Sequence, residues 1–186
     1  DIEIHYRGSV TRSTGHRFSG VERKTLLDLL ARRAQELGVE ILGQREIRDP
    51  ADCGPSDLIV AADGVASVLR DRLADQFRPQ LDWRQNRFVW LGTTRPFPAF
   101  TFYFKPSPAG LWRTHAYQYA PGRSTFIVEA REETWQASGL REDDERGTVT
   151  YLEQLFKEEL QGHRLLANRS IWRRFPTVRN GCWHAG

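Results

Sequence analysis

Residues 57–70 decide the fold of this chain. They read Asp57-Leu-Ile-Val-Ala-Ala-Asp63-Gly64-Val-Ala-Ser67-Val-Leu-Arg70. The apolar run 58–62 predicts a short buried strand that ends at Asp63-Gly64, and residues 65–73 predict the helix that follows. In an open α/β sheet, ligands bind just beyond the carboxyl ends of the strands. The stretch therefore places Asp63 where a ligand would lie.

Two interpretations of this stretch stay open on spacing alone. In the first, the Asp63 carboxylate accepts hydrogen bonds from a ribose or ribityl hydroxyl, Gly64 permits close backbone approach, and the helix amides favour phosphate. Ser67 and Arg70 lie three residues apart on one helix face and look toward the same ligand. In the second, Asp63 and Ser67 only cap the helix.

The sequence up to residue 75 is typical of an α/β organisation. Residues 2–6 alternate as a strand does, and apolar residues recur at helical spacing over residues 26–37 until Gly38 ends the helix. Residues 39–42 predict a further short strand. Residues 21–75 thus run helix, strand, strand, helix, an order that favours parallel strands.

Beyond residue 77 the sequence becomes β-rich. Aromatic and β-branched residues dominate the segments that we predict as strands, which are residues 87–92, 100–104, 111–119 and 124–129. Residues 120–123 predict a hairpin turn, and residues 132–137 and 143–160 predict helices. The second helix carries an apolar stripe that predicts core packing, formed by Val149, Leu152, Leu155, Phe156 and Leu160.

Residues 57–70 resemble the second flavin motif of the class A FAD-dependent aromatic monooxygenases, which have the 4-hydroxybenzoate hydroxylase fold. That motif is an apolar strand, then Ala-Asp-Gly, two residues, Ser, two residues and Arg, and the chain matches every defining position. Arg23, with the leucines that follow it, is similar to the family's Arg-x-x-Leu-x-x-x-Leu segment. Three further segments resemble the sequences of one branch of this family, which contains salicylyl-CoA 5-hydroxylase, 2-aminobenzoyl-CoA monooxygenase and the violacein-pathway monooxygenase. These segments are residues 88–93, 115–117 and 124–129.

The resemblance implies FAD as the cofactor and a set of residues that bind it: Arg23, Asp63, Gly64, Ser67 and Arg70. It also implies that the strand entering the hairpin lines the substrate pocket. His115 and Tyr117, two residues apart on one face of that strand, are candidate substrate contacts, with a hydrogen-bonded core pair as the alternative. Trp90 is a further candidate, with core packing as its alternative.

The resemblance further implies how the chain is divided. We expect an α/β (α+β) fold in which a partial FAD-binding, Rossmann-like domain joins a mostly antiparallel β-sheet substrate domain with covering helices. The expected bounds are 1–80, 81–176, and 177–186 for a return toward the FAD domain. The family's Gly-x-Gly-x-x-Gly fingerprint has no counterpart here, and the chain has no methionine. We therefore interpret it as an internal fragment and expect it not to retain FAD alone.

The implied activity is hydroxylation of a small aromatic substrate with FAD, NAD(P)H and O2, and an aryl-CoA thioester is one substrate option. No Ser/His/Asp triad or paired-carboxylate set is visible, so no catalytic residue is assigned. Two other classes stay open. One is a related flavin oxidoreductase or halogenase with the same Asp-Gly motif, and the other is a non-catalytic binding module.

Composition excludes several classes of protein. Hydrophobic residues make up 39% and charged residues 27%, which excludes wholesale disorder. No run approaches the ~18 apolar residues that a membrane helix needs. The two cysteines, Cys53 and Cys182, cannot form a disulfide framework, so we expect a cytoplasmic protein. With the five scattered histidines they fit no zinc pattern, so no metal is expected.

Arginine dominates the basic residues, with 24 Arg and 3 Lys in a chain of formal net charge +3. Near the C-terminal end, aromatic residues alternate with Arg169, Arg173, Arg174 and Arg179. We favour a solvated basic face for this cluster and expect no nucleic acid as a partner. Contacts to nucleic acid or to the phosphates of an acyl-CoA are the alternatives.

Overall fold

The computed structural model describes all 186 residues, which form nine β-strands, six α-helices and one 3-10 helix. The strands are β1 (Ile2–Tyr6), β2 (Ser9–Ser13), β3 (Pro79–Trp83), β4 (Arg87–Thr93), β5 (Phe100–Ser107), β6 (Gly110–Ala120), β7 (Arg123–Ala130), β8 (Leu165–Leu166) and β9 (Pro176–Asn180). The helices are α1 (Arg23–Glu36), α2 (Val68–Arg72), α3 (Ala74–Phe77), α4 (Glu132–Ala137), α5 (Glu145–Leu155), α6 (Lys157–Leu160) and the 3-10 helix Pro50–Cys53. None of the helices combines the length and apolar character that crossing a membrane requires.

The chain divides into two compact units. Unit 1 consists of residues 1–30 and 85–174, and unit 2 consists of residues 31–84 and 175–186. The functional division expected from the sequence, with bounds after residues 80 and 176, stays a prediction.

Unit 1 is built on a seven-stranded sheet with the order β2-β1-β5-β6-β7-β4-β8. All neighbours are antiparallel except β1 and β5, which run parallel. This mixed, mostly antiparallel sheet with helices confirms the fold class expected from the sequence. The predicted hairpin turn is confirmed too, because Ala120 pairs with Arg123 where β6 turns into β7.

One face of this sheet, here called the core face, carries the hydrophobic core of unit 1. Its side chains alternate along each strand with those of the opposite face, which we call the open face. Phe126 on β7 is completely buried, and Phe156 packs against it edge-on with the ring centroids 5.4 Å apart. The other strand residues of this core include Val89, Leu91, Trp112, Ala116 and Val128.

The helix predicted over residues 143–160 is confirmed with one break. Helices α5 and α6 meet at Phe156, which is completely buried. The predicted apolar stripe packs into the core as expected, with Val149 and Leu155 partly buried and Leu152, Phe156 and Leu160 buried. The 3.6-residue periodicity therefore identified the buried face correctly.

The start of α5 depends on a side-chain cap. Asp144 is the N-cap, and its carboxylate accepts a hydrogen bond from the Gly147 amide at 2.8 Å. We expect Asp144→Ala to lower the free energy of unfolding by ~1 kcal/mol, measured by urea denaturation. Asp143→Ala is the matched control, because Asp143 is exposed and pairs with Arg141 instead. Equal losses in the two variants would contradict the capping role.

Unit 2 departs from prediction in two segments. Neither residues 39–42 nor residues 58–62 form a strand, so the expectation of parallel strands within residues 21–75 is wrong. A strand needs hydrogen bonds to a neighbouring strand, and here both segments lack them. Their apolar side chains stay exposed as a result; Leu58 is 79% and Val60 is 76% exposed. The helix predicted over residues 65–73 is also shorter, because α2 begins only after its cap at Ser67.

The regular sheet of unit 2 lies where the sequence predicted no element. Strands β3 and β9 pair antiparallel, with Leu81 opposite Val178. Next to this pair, the Arg84 guanidinium donates a hydrogen bond to the Thr177 hydroxyl at 2.8 Å. Helix α1 is confirmed, and it stops before Gly38, whose φ of +79° ends the helix as predicted.

Candidate functional site

The Asp-Gly motif forms a compact turn at the start of α2. Ser67 is the N-cap, and its hydroxyl accepts a hydrogen bond from the Arg70 amide at 2.9 Å. The Asp63 carboxylate accepts one from the Leu69 amide at 3.3 Å. A hydrogen bond from the Ser67 hydroxyl lowers the pKa of Asp63 below its ordinary value. Asp63 is therefore a charged acceptor at neutral pH.

Arg70 is the buried member of the motif and is only 7% exposed. Its guanidinium donates to the Val65 carbonyl at 2.8 Å, a bond that runs back across the turn and fixes it. Its Nε is buried without a hydrogen-bond partner. Buried donors are nearly always paired, so this atom marks a position that an acceptor can fill.

A cleft of about 950 Å³ in unit 2, here called the motif cleft, brings the four motif residues together. Asp63, Gly64, Ser67 and Arg70 all line it. Gly64 has a φ of +83°, and no atom lies within 4 Å of the position that a Cβ would take there, so a ligand can approach the backbone. The geometry thus satisfies the capping interpretation and leaves the motif accessible to a ligand.

The predicted substrate contacts lie on the open face of the unit 1 sheet. His115 pairs with Phe102 on one side and Ile127 on the other, and Ile127 pairs with Trp90. Directly paired residues share a face, so these side chains form one row. Tyr117 lies in the next row of the same face, two residues along β6. The fold therefore brings the three predicted side chains to one surface.

Aromatic rings surround His115 and Tyr117. The Phe100 ring meets both of them edge-on, at centroid distances of 5.9 Å and 5.5 Å. Phe18 stacks on Phe100 at 4.7 Å and meets Tyr117 edge-on at 5.0 Å. Neither the His115 ring nor the Tyr117 hydroxyl hydrogen-bonds to the protein, and both residues are only half-buried. The two residues do not form a hydrogen-bonded pair in this structure, and their role as substrate contacts stays a prediction.

Burial lowers the pKa of His115 below its ordinary value of 6.5, and the Glu129 carboxylate nearby opposes this effect. The unfolded chain then binds the proton more readily than the folded chain. The neutral His115 ring therefore contributes its full share to the stability of the folded chain above pH ~6.5, and this contribution is lost as the pH falls through the lowered folded-state pKa.

We therefore expect the urea concentration at the unfolding midpoint to decrease as the pH is lowered from about 7 to about 5. The decrease should be smaller in His115→Gln. Urea denaturation at a series of pH values measures the difference. His163→Gln is the matched control, since His163 bonds the Thr94 hydroxyl outside this cluster. An unchanged pH dependence in His115→Gln would contradict the burial argument.

A second cleft, here called the unit 1 cleft, has a volume of about 670 Å³ and opens on the same face. Trp90 lines it and is 54% exposed, so its ring is not buried in the core of this chain, and its role as a substrate contact stays a prediction. Arg23, the first residue of α1, lines it as well. Arg23 thus belongs to unit 1, whereas the other residues expected to bind FAD belong to unit 2. His115 and Tyr117 do not line this cleft.

Sequence reasoning missed two residues of these surfaces, Phe18 and Arg123. Phe18 stands alone in a polar segment, and an isolated aromatic residue in such a segment was the signal available. Arg123 was assigned only to a turn, but it lines the unit 1 cleft and pairs with Glu22 at 3.1 Å. Its contribution depends on the hairpin and on the segment before α1, which lie 101 residues apart in the sequence.

No group of three or more His, Cys, Asp or Glu side chains is placed to hold a metal ion. Cys53 and Cys182 are both free thiols.

The fold is found in solved oxygenase structures. The tetrameric form of 2-methyl-3-hydroxypyridine-5-carboxylic acid oxygenase superposes with a TM-score of 0.64 at 18% identity, over 98% of this chain and 53% of that chain. The flavin-dependent brominase Bmp2 superposes with a TM-score of 0.50 at 16% identity, over 89% of this chain and 47% of that chain. At these identities the likeness establishes the fold alone.

Curated relatives match the whole chain in sequence. Salicyloyl-CoA 5-hydroxylase from a Streptomyces species is 39% identical over 194 residues, which are 100% of this chain and 38% of the relative. The 3-hydroxy-4-methyl-anthranilyl-[aryl-carrier protein] 5-monooxygenase of Streptosporangium sibiricum is 36% identical over 100% of this chain and 48% of the relative. Protodeoxyviolaceinate monooxygenase of Chromobacterium violaceum is 30% identical over 98% of this chain and 50% of the relative.

These matches confirm the family resemblance that residues 57–70 indicate. The chain is similar over its length to these three bacterial enzymes, and it spans 38–50% of the length of the curated relatives it matches. No family model matches the chain.

Proposed function

We propose that the complete protein is a flavin-dependent monooxygenase that hydroxylates an aromatic substrate. The observation that carries this proposal is the motif cleft, where Asp63, Gly64, Ser67 and Arg70 meet in a chain related along its length to three monooxygenases. The four motif residues lie within residues 63–70 of the sequence, and the fold keeps all of them at one accessible surface.

The residues of the motif cleft fit FAD. Asp63 offers a charged acceptor for a cofactor hydroxyl, Gly64 leaves the backbone open, and the unpaired Nε of Arg70 is a donor for an oxygen. When bound, FAD supplies the redox chemistry with O2, and NADH or NADPH is the reductant. The bond from Arg70 to the Val65 carbonyl holds the turn that positions Asp63. Arg23 stays a proposed FAD contact on the resemblance alone.

The open face of unit 1 supplies the surface for the aromatic ring of the substrate. Its cluster of Phe18, Phe100, His115 and Tyr117 presents aromatic edges and faces, and each such ring contact contributes about 0.5–1.5 kcal/mol beyond its buried area. The lowered pKa of His115 keeps its ring neutral at neutral pH. A neutral imidazole and the free Tyr117 hydroxyl can each hydrogen-bond a ring substituent without adding charge.

Spectroscopy and product analysis of the complete protein test this function. We expect an absorbance spectrum that corresponds to about one bound flavin per chain. An aromatic substrate should accelerate the oxidation of NADH or NADPH, and the product should carry an oxygen atom from isotopically labelled O2. A halogenated product formed in the presence of bromide would instead show that the protein is a halogenase, like the brominase whose structure superposes on this chain. A complete protein without bound flavin would overturn the proposal in favour of a binding module.

Variants of the aromatic cluster test the substrate surface. We expect His115→Ala and Tyr117→Ala each to raise KM for the aromatic substrate about tenfold, or to uncouple NAD(P)H oxidation from hydroxylation, because each removes one polar contact to the ring. FAD affinity should stay unchanged, as steady-state kinetics and flavin titration together would show. His163→Ala is the control. Weakened FAD binding with an unchanged KM would contradict the assignment.

A further inference from the structure

The unit 1 cleft has a rim of arginines. Four of them line it, Arg23, Arg123, Arg169 and Arg173, and no aspartate or glutamate does. All four are exposed, and among them only Arg123 has a carboxylate partner, Glu22. Guanidinium groups form strong bidentate hydrogen bonds with phosphates and carboxylates. An anionic group is the ligand that this rim favours.

One wall of the cleft is fixed to the edge of β4. Arg173 exchanges two backbone hydrogen bonds with Phe88, at 2.9 Å and 3.0 Å. The Ser170 hydroxyl donates to the Trp90 carbonyl at 2.6 Å. Arg169, next to Ser170, takes a left-handed backbone conformation with a φ of +52°. Both arginines of this wall are therefore anchored beside Trp90.

The other wall is the turn between β6 and β7 together with the segment that leads into α1. Arg123 lies at the turn and pairs with Glu22, the residue before Arg23. Gly20 packs directly on the hairpin, because a Cβ at this position would lie 3.1 Å from the Gln118 carbonyl oxygen. This close approach positions Arg23 at the cleft.

Three partly exposed apolar side chains also line the cleft, and we call them its floor. Trp90, Leu166 and Ile171 are 54%, 50% and 44% exposed, and all three line it. Gly92 also lines the cleft, and a Cβ at this position would lie 3.6 Å from the Leu166 Cβ. A floor of this kind below a cationic rim suits a ligand with a long, weakly polar arm that ends in a phosphate.

Two of the curated relatives act, by their names, on aryl groups held as coenzyme A or carrier-protein derivatives. Both carriers present the aryl group as a thioester at the end of a phosphopantetheine arm. Phosphopantetheine is the chemistry that the two sources share, and it combines an apolar and amide-containing arm with a phosphate.

Resting on the proposed function, we infer that the unit 1 cleft binds the phosphopantetheine arm of an aryl thioester substrate. The phosphate lies at Arg123, Arg169 and Arg173, and the arm runs along Trp90. The cleft volume of about 670 Å³ is within the range of sites for small organic ligands. The unbalanced positive charge of the rim also attracts the phosphate during association.

Binding of coenzyme A to the complete, flavin-loaded protein tests this inference without turnover. By calorimetry we expect Arg169→Gln and Arg173→Gln each to weaken coenzyme A binding about tenfold, because each removes one charge-assisted contact. Arg174→Gln is the matched control, since it removes the same charge from a neighbouring residue that does not line the cleft. Pantetheine, which lacks the phosphate, should bind weakly and with the same affinity to all of these proteins.

Two further probes separate the sources of the arm. Free 4′-phosphopantetheine should show the same dependence on Arg169 and Arg173 as coenzyme A. A dependence seen with coenzyme A alone would assign the arginines to its nucleotide end and overturn the inference. A phosphopantetheinylated aryl-carrier protein that binds more tightly than coenzyme A identifies the carrier as the source, and the reverse order identifies coenzyme A.

Two results with the arginine variants would also overturn the inference. In the first, coenzyme A affinity is unchanged in both arginine variants. In the second, the variants weaken FAD binding and spare coenzyme A, which would assign the cleft to the cofactor's phosphates. A protein that carries flavin and hydroxylates free aromatic compounds but binds neither coenzyme A nor the phosphopantetheinylated carrier protein refutes this inference and leaves the proposed function standing. Absence of flavin refutes the proposed function itself.

Discussion

Asp63→Ala is expected to weaken FAD binding by about ten- to a hundredfold while the fold of the protein is retained. The Ser67 hydroxyl keeps the pKa of the Asp63 carboxyl low, so the variant removes a charged acceptor from the motif cleft. A charge-assisted hydrogen bond to a cofactor hydroxyl contributes about 1.5–3 kcal/mol, which corresponds to this loss of affinity. Titration of the apoprotein with FAD, followed by flavin fluorescence, measures the change.

Two further variants separate cofactor binding from helix capping. Asp63→Asn retains an oxygen that can accept from the Leu69 amide but removes the charge, so it should preserve stability better than it preserves FAD affinity. Asp75→Ala removes an exposed carboxylate that does not line the motif cleft, so its FAD affinity should equal that of the wild type. If Asp63→Ala lowers only the free energy of unfolding, Asp63 is a cap and nothing more.

The β-rich part of the chain was predictable because its signals are local. Each strand from residue 87 to residue 130 is rich in aromatic and β-branched residues, and Pro and Gly separate the strands. The turn at residues 120–123 sets the register of β6 against β7, which places His115 opposite Ile127. The stripe in α5 and α6 is likewise set by helical spacing. Composition thus identified the strands, and helical periodicity identified the face that α5 and α6 bury.

The same reasoning was wrong for residues 39–42 and 58–62 because a strand is not a local structure. Apolar composition indicates that a segment is suited to burial, but a ladder also needs a neighbouring strand. Neither segment has one here, and residues 58–62 instead line the motif cleft in an irregular conformation. The parallel pair of this chain is formed by β1 and β5, which lie about a hundred residues apart and share no sequence signal.

The two candidate sites also differ in how far apart their residues lie in the sequence, and this decides which of them was predictable. The spacing from Asp63 to Arg70 is short enough for one turn and one helix to bring these residues together, so the sequence located them. The rim of the unit 1 cleft assembles from Arg23, Arg123, Arg169 and Arg173, which belong to three separate segments of the chain. The sequence showed two of these arginines only as members of a basic cluster. The pairing of β4 with β7 brings Arg123 to the cleft, and the pairing of β4 with β8 brings the segment that contains Arg169 and Arg173.

The two faces of β4 are expected to differ sharply in what they contribute. Leu91 is 1% exposed and pairs with Phe126 in the core, whereas its neighbour Trp90 points to the unit 1 cleft and is 54% exposed. Leu91→Ala should lower the free energy of unfolding by about 2–5 kcal/mol, since it removes buried methyl groups and leaves a cavity. Trp90→Val, which keeps a residue suited to a strand, should change it by less than ~1 kcal/mol. Urea denaturation of both variants measures the contrast.

The ligand-binding effects should run in the opposite direction. Trp90→Val removes the largest apolar side chain of the cleft floor and should weaken coenzyme A binding, whereas Leu91→Ala, measured under conditions where it is folded, should leave that affinity close to the wild-type value. Leu91 also lines the cleft, but its side chain is only 1% exposed and projects to the core face, so Leu91→Ala removes atoms from the core, whereas Trp90→Val removes an exposed ring from the cleft. Equal stability losses in the two variants would show that Trp90 supports the fold. If Trp90→Val leaves the affinity for coenzyme A unchanged, the phosphopantetheine arm does not bind along the floor of the unit 1 cleft.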